Sequence, residues 1–284
     1  MVKKFQVLII LIAIGINAPA QSSYDLQFIH YLVEKGEFED AIRVCNQTLG
    51  TPLVTRKDSL NFFKGWSFYS VKSLDSASFF LEKVSSKSSF FPKSIFFSAY
   101  CNAFQGRYLL SKQQLLAVPV TDSLLSELKM VQLAGISLLE RDFRNFEKYA
   151  SSFTHSHFSY AAEEENLKKY DWDIRAHRYK SPTKAGLMSA IVPGLGKIYA
   201  GRKAQGVSAM FVTLTMGGLA VENVLRSGWK SPQSILFSGL FSVFYIGNIY
   251  GSVFAVNYVN NTYDQNINGH LLLDLQLPLR NFFR

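Results

Sequence analysis

Pro193-Gly194-Leu195-Gly196-Lys197-Ile198-Tyr199-Ala200-Gly201 stands just ahead of residues 204–221, which carry no charge, and residues 231–263 carry none either. Between the two runs lie Glu222, Arg226, Gly228 and Lys230. Eighteen or more apolar residues without charge suit a bilayer span, so the pair reads as a transmembrane helical hairpin. Pro193-Gly194 cannot continue a helix and closes the segment before it. Residues 185–192 either lie in the interface or re-enter, with Lys197 and Tyr199 at headgroup level. The block is no phosphate loop, because Ile198 follows Gly196-Lys197 where Ser or Thr is needed.

The basic cluster Arg175, Arg178, Lys180, Lys184, Lys197, Arg202 and Lys203 precedes the first run, with no Asp or Glu among them. It accounts for most of the net charge of +9. Such a cluster beside an apolar run favours anionic headgroups, and membrane lipid is the first expected partner. A nucleic-acid partner is not expected, since no recognition module accompanies the high pI. The 48% hydrophobic content of the 284 residues is concentrated at the N-terminus and after residue 185.

The N-terminus has the parts of a secretory signal: Lys3 and Lys4, an apolar core over residues 7–14, and Ala18-Pro19-Ala20 as cleavage site. The expected domains are therefore a signal peptide (1–20), a helical repeat domain (21–160) and a basic polar connector helix (161–184). A membrane domain (185–263) and a C-terminal tail (264–284) follow. Within the connector, residues 161–177 read as a polar helix, with Glu163–Glu165 early and Lys168, Lys169 and Arg175 late, and Pro182 is expected to end it. Cleavage puts the repeats in the periplasm. Counting positive charge instead puts residues 175–203 in the cytoplasm, and we give the signal more weight.

Between residues 24 and 153 the chain repeats itself. Gly36-Glu37-Phe38-Glu39-Asp40-Ala41 is a helix–turn–helix junction. Its grammar returns at Ser73-Leu74-Asp75-Ser76-Ala77, at Gly106-Arg107-Tyr108 and at Arg141-Asp142-Phe143. The apolar openers Phe38, Leu74, Tyr108 and Phe143 recur at intervals of 36, 34 and 35 residues. One hairpin cannot bury the stripe Phe38, Ala41, Ile42 and Cys45 alone, so stacking is required. The repeat-packing residues are expected to be Gly36, Phe38, Ala41, Ala77 and Tyr108. The period and these residues resemble the tetratricopeptide family. That resemblance implies a concave surface for an extended peptide or a partner helix. An irregular helical domain is the plainer reading of the same residues.

Residues 189–201 also resemble a two-helix bacterial membrane domain marked by S-A-x-x-P-G-x-G-[QK]-x-Y-x-G. Pro193, Gly194, Gly196, Tyr199 and Gly201 carry the match. Uncharacterised envelope proteins of Bacteroidetes share this order of signal, repeats and hairpin, which implies location more than activity. Gly247 and Gly251 form a G-x-x-x-G, expected to pack helices within the chain or to support a homo-oligomer. In the tail, Leu271, Leu273, Leu275, Leu277 and Leu279 alternate as a short edge strand would.

Chemistry is sparse. There is no G-x-S-x-G and no H-E-x-x-H, and no catalytic, cofactor or metal residue is assigned. His30 and Glu34 read as a surface pair. His155 and His157 with Glu163–Glu165 read as a solvated connector rather than a metal site. Cys45 and Cys101 fall in different repeats and read as buried free thiols. The sequence thus predicts a mainly α protein, non-enzymatic, whose repeats bind a protein partner at the inner membrane. The alternative is a subunit of a transport or assembly machine with Gly247, Asn248 and Gly251 as its working part.

Overall fold

The computed structural model describes residues 21–49, 56–119, 122–154 and 160–283. The expected signal peptide with its cleavage site, and His155 and His157, lie outside the described residues. Among the described residues there are 13 helices and no strand. The chain divides into two compact units. One joins the residues up to Asp171 to Leu271–Arg284, and the other is Trp172–His270.

The first unit is built of four helical hairpins. They are α1 (Gln21–Lys35) with α2 (Phe38–Leu49), α3 (Lys57–Ser70) with α4 (Leu74–Glu82), α5 (Phe91–Phe104) with α6 (Tyr108–Ala117), and α7 (Ser123–Leu139) with α8 (Phe143–Ala150). Each opener expected from the sequence is the first residue of its helix. The turn before it is the same four times over. Gly36, Lys72, Gly106 and Arg141 all take positive φ, at 80°, 62°, 76° and 63°. Each is followed by a backbone N–H that reaches back five residues, as from Glu37 to Leu32 O (2.9 Å) and from Asp142 to Ser137 O (2.8 Å). These bonds satisfy carbonyls that the helix end would otherwise leave open.

The positions three residues after each opener are buried, with Ser111 and Phe146 standing where the first two repeats have Ala. Ala41, Ala77 and Ser111 are 0% exposed and Phe146 is 3%. Ser111 uses its burial twice, since its Oγ also donates to Ala99 O at 2.6 Å, tying the two helices of its hairpin. Gly65 is needed for a close approach: a Cβ there would lie 2.7 Å from Leu81 Cγ and 2.9 Å from Leu81 N. Phe38 and Tyr108 are half-buried at the openings of their helices. Cys45 and Cys101 are buried and free, and burial pushes both thiols up to about 12.

In the second unit, α10 (Pro182–Ile191), α11 (Leu195–Tyr199) and α12 (Lys203–Ser227) lead to α13 (Pro232–Phe282). Helices α12 and α13 are long and apolar enough to cross a membrane, with mean hydropathy of 1.4 and 1.5 over their apolar windows. Only 17% and 22% of those windows are buried, so neither helix is covered as a core helix of a water-soluble fold would be.

Two expectations are corrected. The connector's polar helix, α9 (Ala161–Ala176), stops one residue short of the 161–177 read from the sequence, but Pro182 does not end it: it opens α10. Proline suits the first helical turn, where its missing N–H is no loss, and Ser181 Oγ caps the turn by accepting from Lys184 N (3.3 Å). The tail is not a strand. It continues α13, a 51-residue helix of about 76 Å. Leu271, Leu275 and Leu279 are 0% exposed while Leu273 and Leu277 are 49% and 42% exposed, a helical stripe with a period of four.

Candidate functional site

In the repeat unit, the stripe of residues 271–283 is seated on the first helices of the hairpins. Gln132 Nε2 of α7 donates to Leu275 O at 2.7 Å, in full burial. A Cβ at Gly135 would overlap the Leu275 side chain, so glycine there lets the tail helix lie close. Gln276 Nε2 donates to Tyr69 OH of α3 (2.5 Å). Asp274 accepts from Asn166 Nδ2 (2.9 Å) and Tyr170 OH (3.0 Å) of α9. Phe283 closes on Phe96 and Phe97 of α5, with centroids 5.6 and 6.2 Å apart. The surface expected to take a partner helix thus holds a helix of its own chain.

Beside the seated helix the groove stays open. A cavity of about 700 Å³ is lined by Phe38, Trp66, Tyr69, Tyr100 and Phe104, with Lys72 and Arg280 among its walls. Burial raises the Tyr69 and Tyr100 phenols above their usual range, so both stay neutral donors. Aromatic walls with two cations suit an apolar or aromatic side chain flanked by acidic groups.

In the second unit the P-G-L-G block is a junction of four helices. Val192 is extended, at φ −128° and ψ 109°, as a residue before proline prefers. Gly194 has φ +87°, and a Cβ on it would overlap the carbonyl oxygen of Gly206 at the start of α12. Gly196 N donates to Ser189 Oγ (2.9 Å), which shares a hydrogen bond with Ser252 Oγ (2.7 Å) of α13. A Cβ at Gly196 would overlap Ala185 O and come within 2.7 Å of Ser252 Cβ. Gly201, at φ +96°, closes α11 with the same turn as the repeats: Arg202 N reaches Lys197 O at 2.9 Å. Tyr199 OH accepts from Ser181 N (3.2 Å), and its ring packs on Ala185, Ala200, Ala255 and Val256. The motif residues therefore hold backbones together. Ser189, Gly206 and Ser252 do as much as the residues singled out, and Ser252 lies far along the chain from the others.

Gly247 and Gly251 do not join the two helices of the hairpin. A Cβ at Gly247 would meet open space, and one at Gly251 would meet Lys197 Cε at 3.3 Å. The stem of Lys197 occupies the place a second helix would take. Asn248, between these glycines, is 4% exposed, and neither its Oδ1 nor its Nδ2 has a hydrogen-bond partner among the described residues. Burying an unpaired amide costs about 1–3 kcal/mol, and native structures rarely leave one so.

Among the described residues no three His, Cys, Asp or Glu side chains gather as a metal site. His30 and Glu34 form an exposed pair at 3.5 Å. No family model matches the chain, and neither a curated protein nor a solved structure matches it.

Proposed function

We propose that this is a non-enzymatic bacterial envelope protein whose periplasmic helical repeats are a scaffold for a protein partner, held at the inner membrane by the α12–α13 hairpin. One observation carries the reading: the repeat groove already seats a helix and keeps an aromatic, cationic cavity open beside it. The partner's chemistry follows from that cavity. It is a segment with an aromatic anchor next to Asp or Glu, which Lys72 and Arg280 would receive.

The membrane placement is supported by the outward side chains of the hairpin. Phe211 is 73% exposed, Leu225 80% and Val243 68%, an apolar surface that suits lipid and not water. The topology is supported by the make-up of the repeat unit, which takes in residues on both sides of the hairpin. Both flanks must then lie on one side of the membrane, so the crossings are even in number. That agrees with export of the repeats by a cleaved signal. Kinship with tetratricopeptide repeats is part of the proposal, supported by four identical turns at intervals of 34 to 36 residues.

Two experiments test it. N-terminal sequencing of membrane-extracted protein should begin at Gln21, and a chain still starting at Met1 would overturn the export step. A photo-crosslinker at Phe104, 53% exposed beside the cavity, should trap one discrete adduct in cells. Trp66→Ala and Arg280→Glu should each weaken that adduct. An adduct pattern indifferent to both changes would sink the scaffold reading.

A further inference from the structure

The groove between α12 and α13 has two ends of different chemistry. At the end near the P-G-L-G junction is a cavity of about 700 Å³, walled by Lys197, Gln205, Ser208, Gly247 and Asn248. Farther along the same two helices, and sharing Thr213, is an apolar cavity of about 480 Å³ walled by Leu214, Gly217, Val221, Leu225 and Phe241. From Gln205 to Leu225 the helix rises about 30 Å, the length of one lipid leaflet and more. The glycines are what keep this channel open. Gly247 and Gly218 present no side chain, and a Cβ on either would meet nothing within 4 Å.

No carboxylate lines the polar end. Lys197 has no carboxylate partner among the described residues, and its stem is laid along α13 by Gly251, which brings its ammonium beside the cavity. Arg202 holds Gln205, its Nη1 donating to Oε1 at 3.3 Å. That leaves the Gln205 amide nitrogen as a donor at the wall. The unpartnered Asn248 amide borders the same cavity. No Asp or Glu lies between residues 174 and 221, so nothing nearby on these helices neutralises the cation.

We propose that this groove binds one anionic phospholipid, with its headgroup phosphate at Lys197 and Gln205 and an acyl chain running past Gly217 and Gly218. A phosphate at Lys197 gains a charge-assisted bond, the stronger kind of hydrogen bond. The acyl chain fills apolar space that neither helix covers. The inference goes beyond the scaffold reading and rests only on its membrane placement.

The test uses the full chain, reconstituted in nanodiscs of mixed phosphatidylglycerol and phosphatidylcholine, with retained lipid counted by native mass spectrometry after mild delipidation. Phosphatidylglycerol should be enriched over phosphatidylcholine by about fivefold, the preference one basic side chain confers near an anionic headgroup. Lys197→Gln should abolish the enrichment, and Gly247→Leu should abolish retention of either lipid by filling the cavity. Lys230→Gln, in the turn between the helices, should leave both unchanged. Excess inorganic phosphate should not displace the bound lipid, because it lacks the chain. Equal retention of the two lipids, enrichment that survives Lys197→Gln, or displacement by phosphate alone would overturn the proposal. Failure of the chain to enter nanodiscs would instead overturn the membrane placement.

Discussion

The four repeat turns offer a paired test, because two carry glycine and two do not. At Gly106, φ is +76° and an added Cβ would touch nothing within 4 Å, so Gly106→Ala changes only the backbone. Holding an L-residue in the left-handed region costs about 1–2 kcal/mol. Loss of glycine's freedom in the unfolded chain returns about 0.4–1 kcal/mol. The net is a destabilisation of about 0.5–1 kcal/mol. Lys72 is the mirror case: it is exposed, its φ is +62°, and Lys72→Gly should stabilise by a similar amount. For a unit of this size each change should move the melting temperature by about 1–4 °C, in opposite directions. Cys45 and Cys101 give a readout confined to the repeats, since both thiols are buried. Their alkylation against temperature, in full-length protein in mild detergent, follows that unit alone. If the two variants shift in the same direction, the left-handed turn is not what limits these positions.

Four further outcomes are expected. Ala41→Trp and Ala77→Trp should each destabilise the repeats by about 1–3 kcal/mol through overpacking, read by the same alkylation melt; unchanged melts would mean the register is wrong. Leu275→Ala removes a fully buried side chain from the seated helix and should cost about 2–5 kcal/mol. Leu273→Ala, on the exposed side, should cost little, and equal effects would refute the seating. Burial raises the Cys45 and Cys101 thiols from 9.0 to about 12, so their contribution to stability is whole below pH 9 and is lost as pH rises toward 12. Replacing both by Ala should flatten that alkaline decline in a tryptophan-fluorescence melt, and an unaltered slope would contradict it. Gly196→Ala should unseat the junction, because a Cβ there strikes the Ala185 carbonyl, and protease resistance of the second unit should fall; a variant as resistant as the parent would refute this.

The repeats were legible in the sequence because their turns are local. Gly36 and Gly106 mark two of them, and the openers mark all four, even where Lys72 and Arg141 hide the need for positive φ. The apolar hairpin was legible for a similar reason, as absence of charge is a property of consecutive residues. The tail was misread because Leu271, Leu275 and Leu279 satisfy a period of two and a period of four at once. Only the groove they enter distinguishes the two, and its residues lie more than a hundred positions away. Separation in sequence, 63 residues, also hid the Ser189–Ser252 bond, and the open space at Gly247 depends on packing that no local spacing reveals. A G-x-x-x-G spacing says that a helix face is bare. It does not say whether a helix, a lysine stem or a lipid covers it.

The seated tail also sets an order of events during synthesis. The hairpins over residues 21–150 leave the ribosome first, yet the helix that fills their groove comes after both apolar helices. A chain interrupted anywhere in the hairpin leaves Gln132, Phe96 and Phe97 without Leu275 and Phe283. Such a chain carries an open apolar groove of the kind that quality-control proteases recognise. Completion of the repeat unit therefore waits on synthesis of both apolar helices.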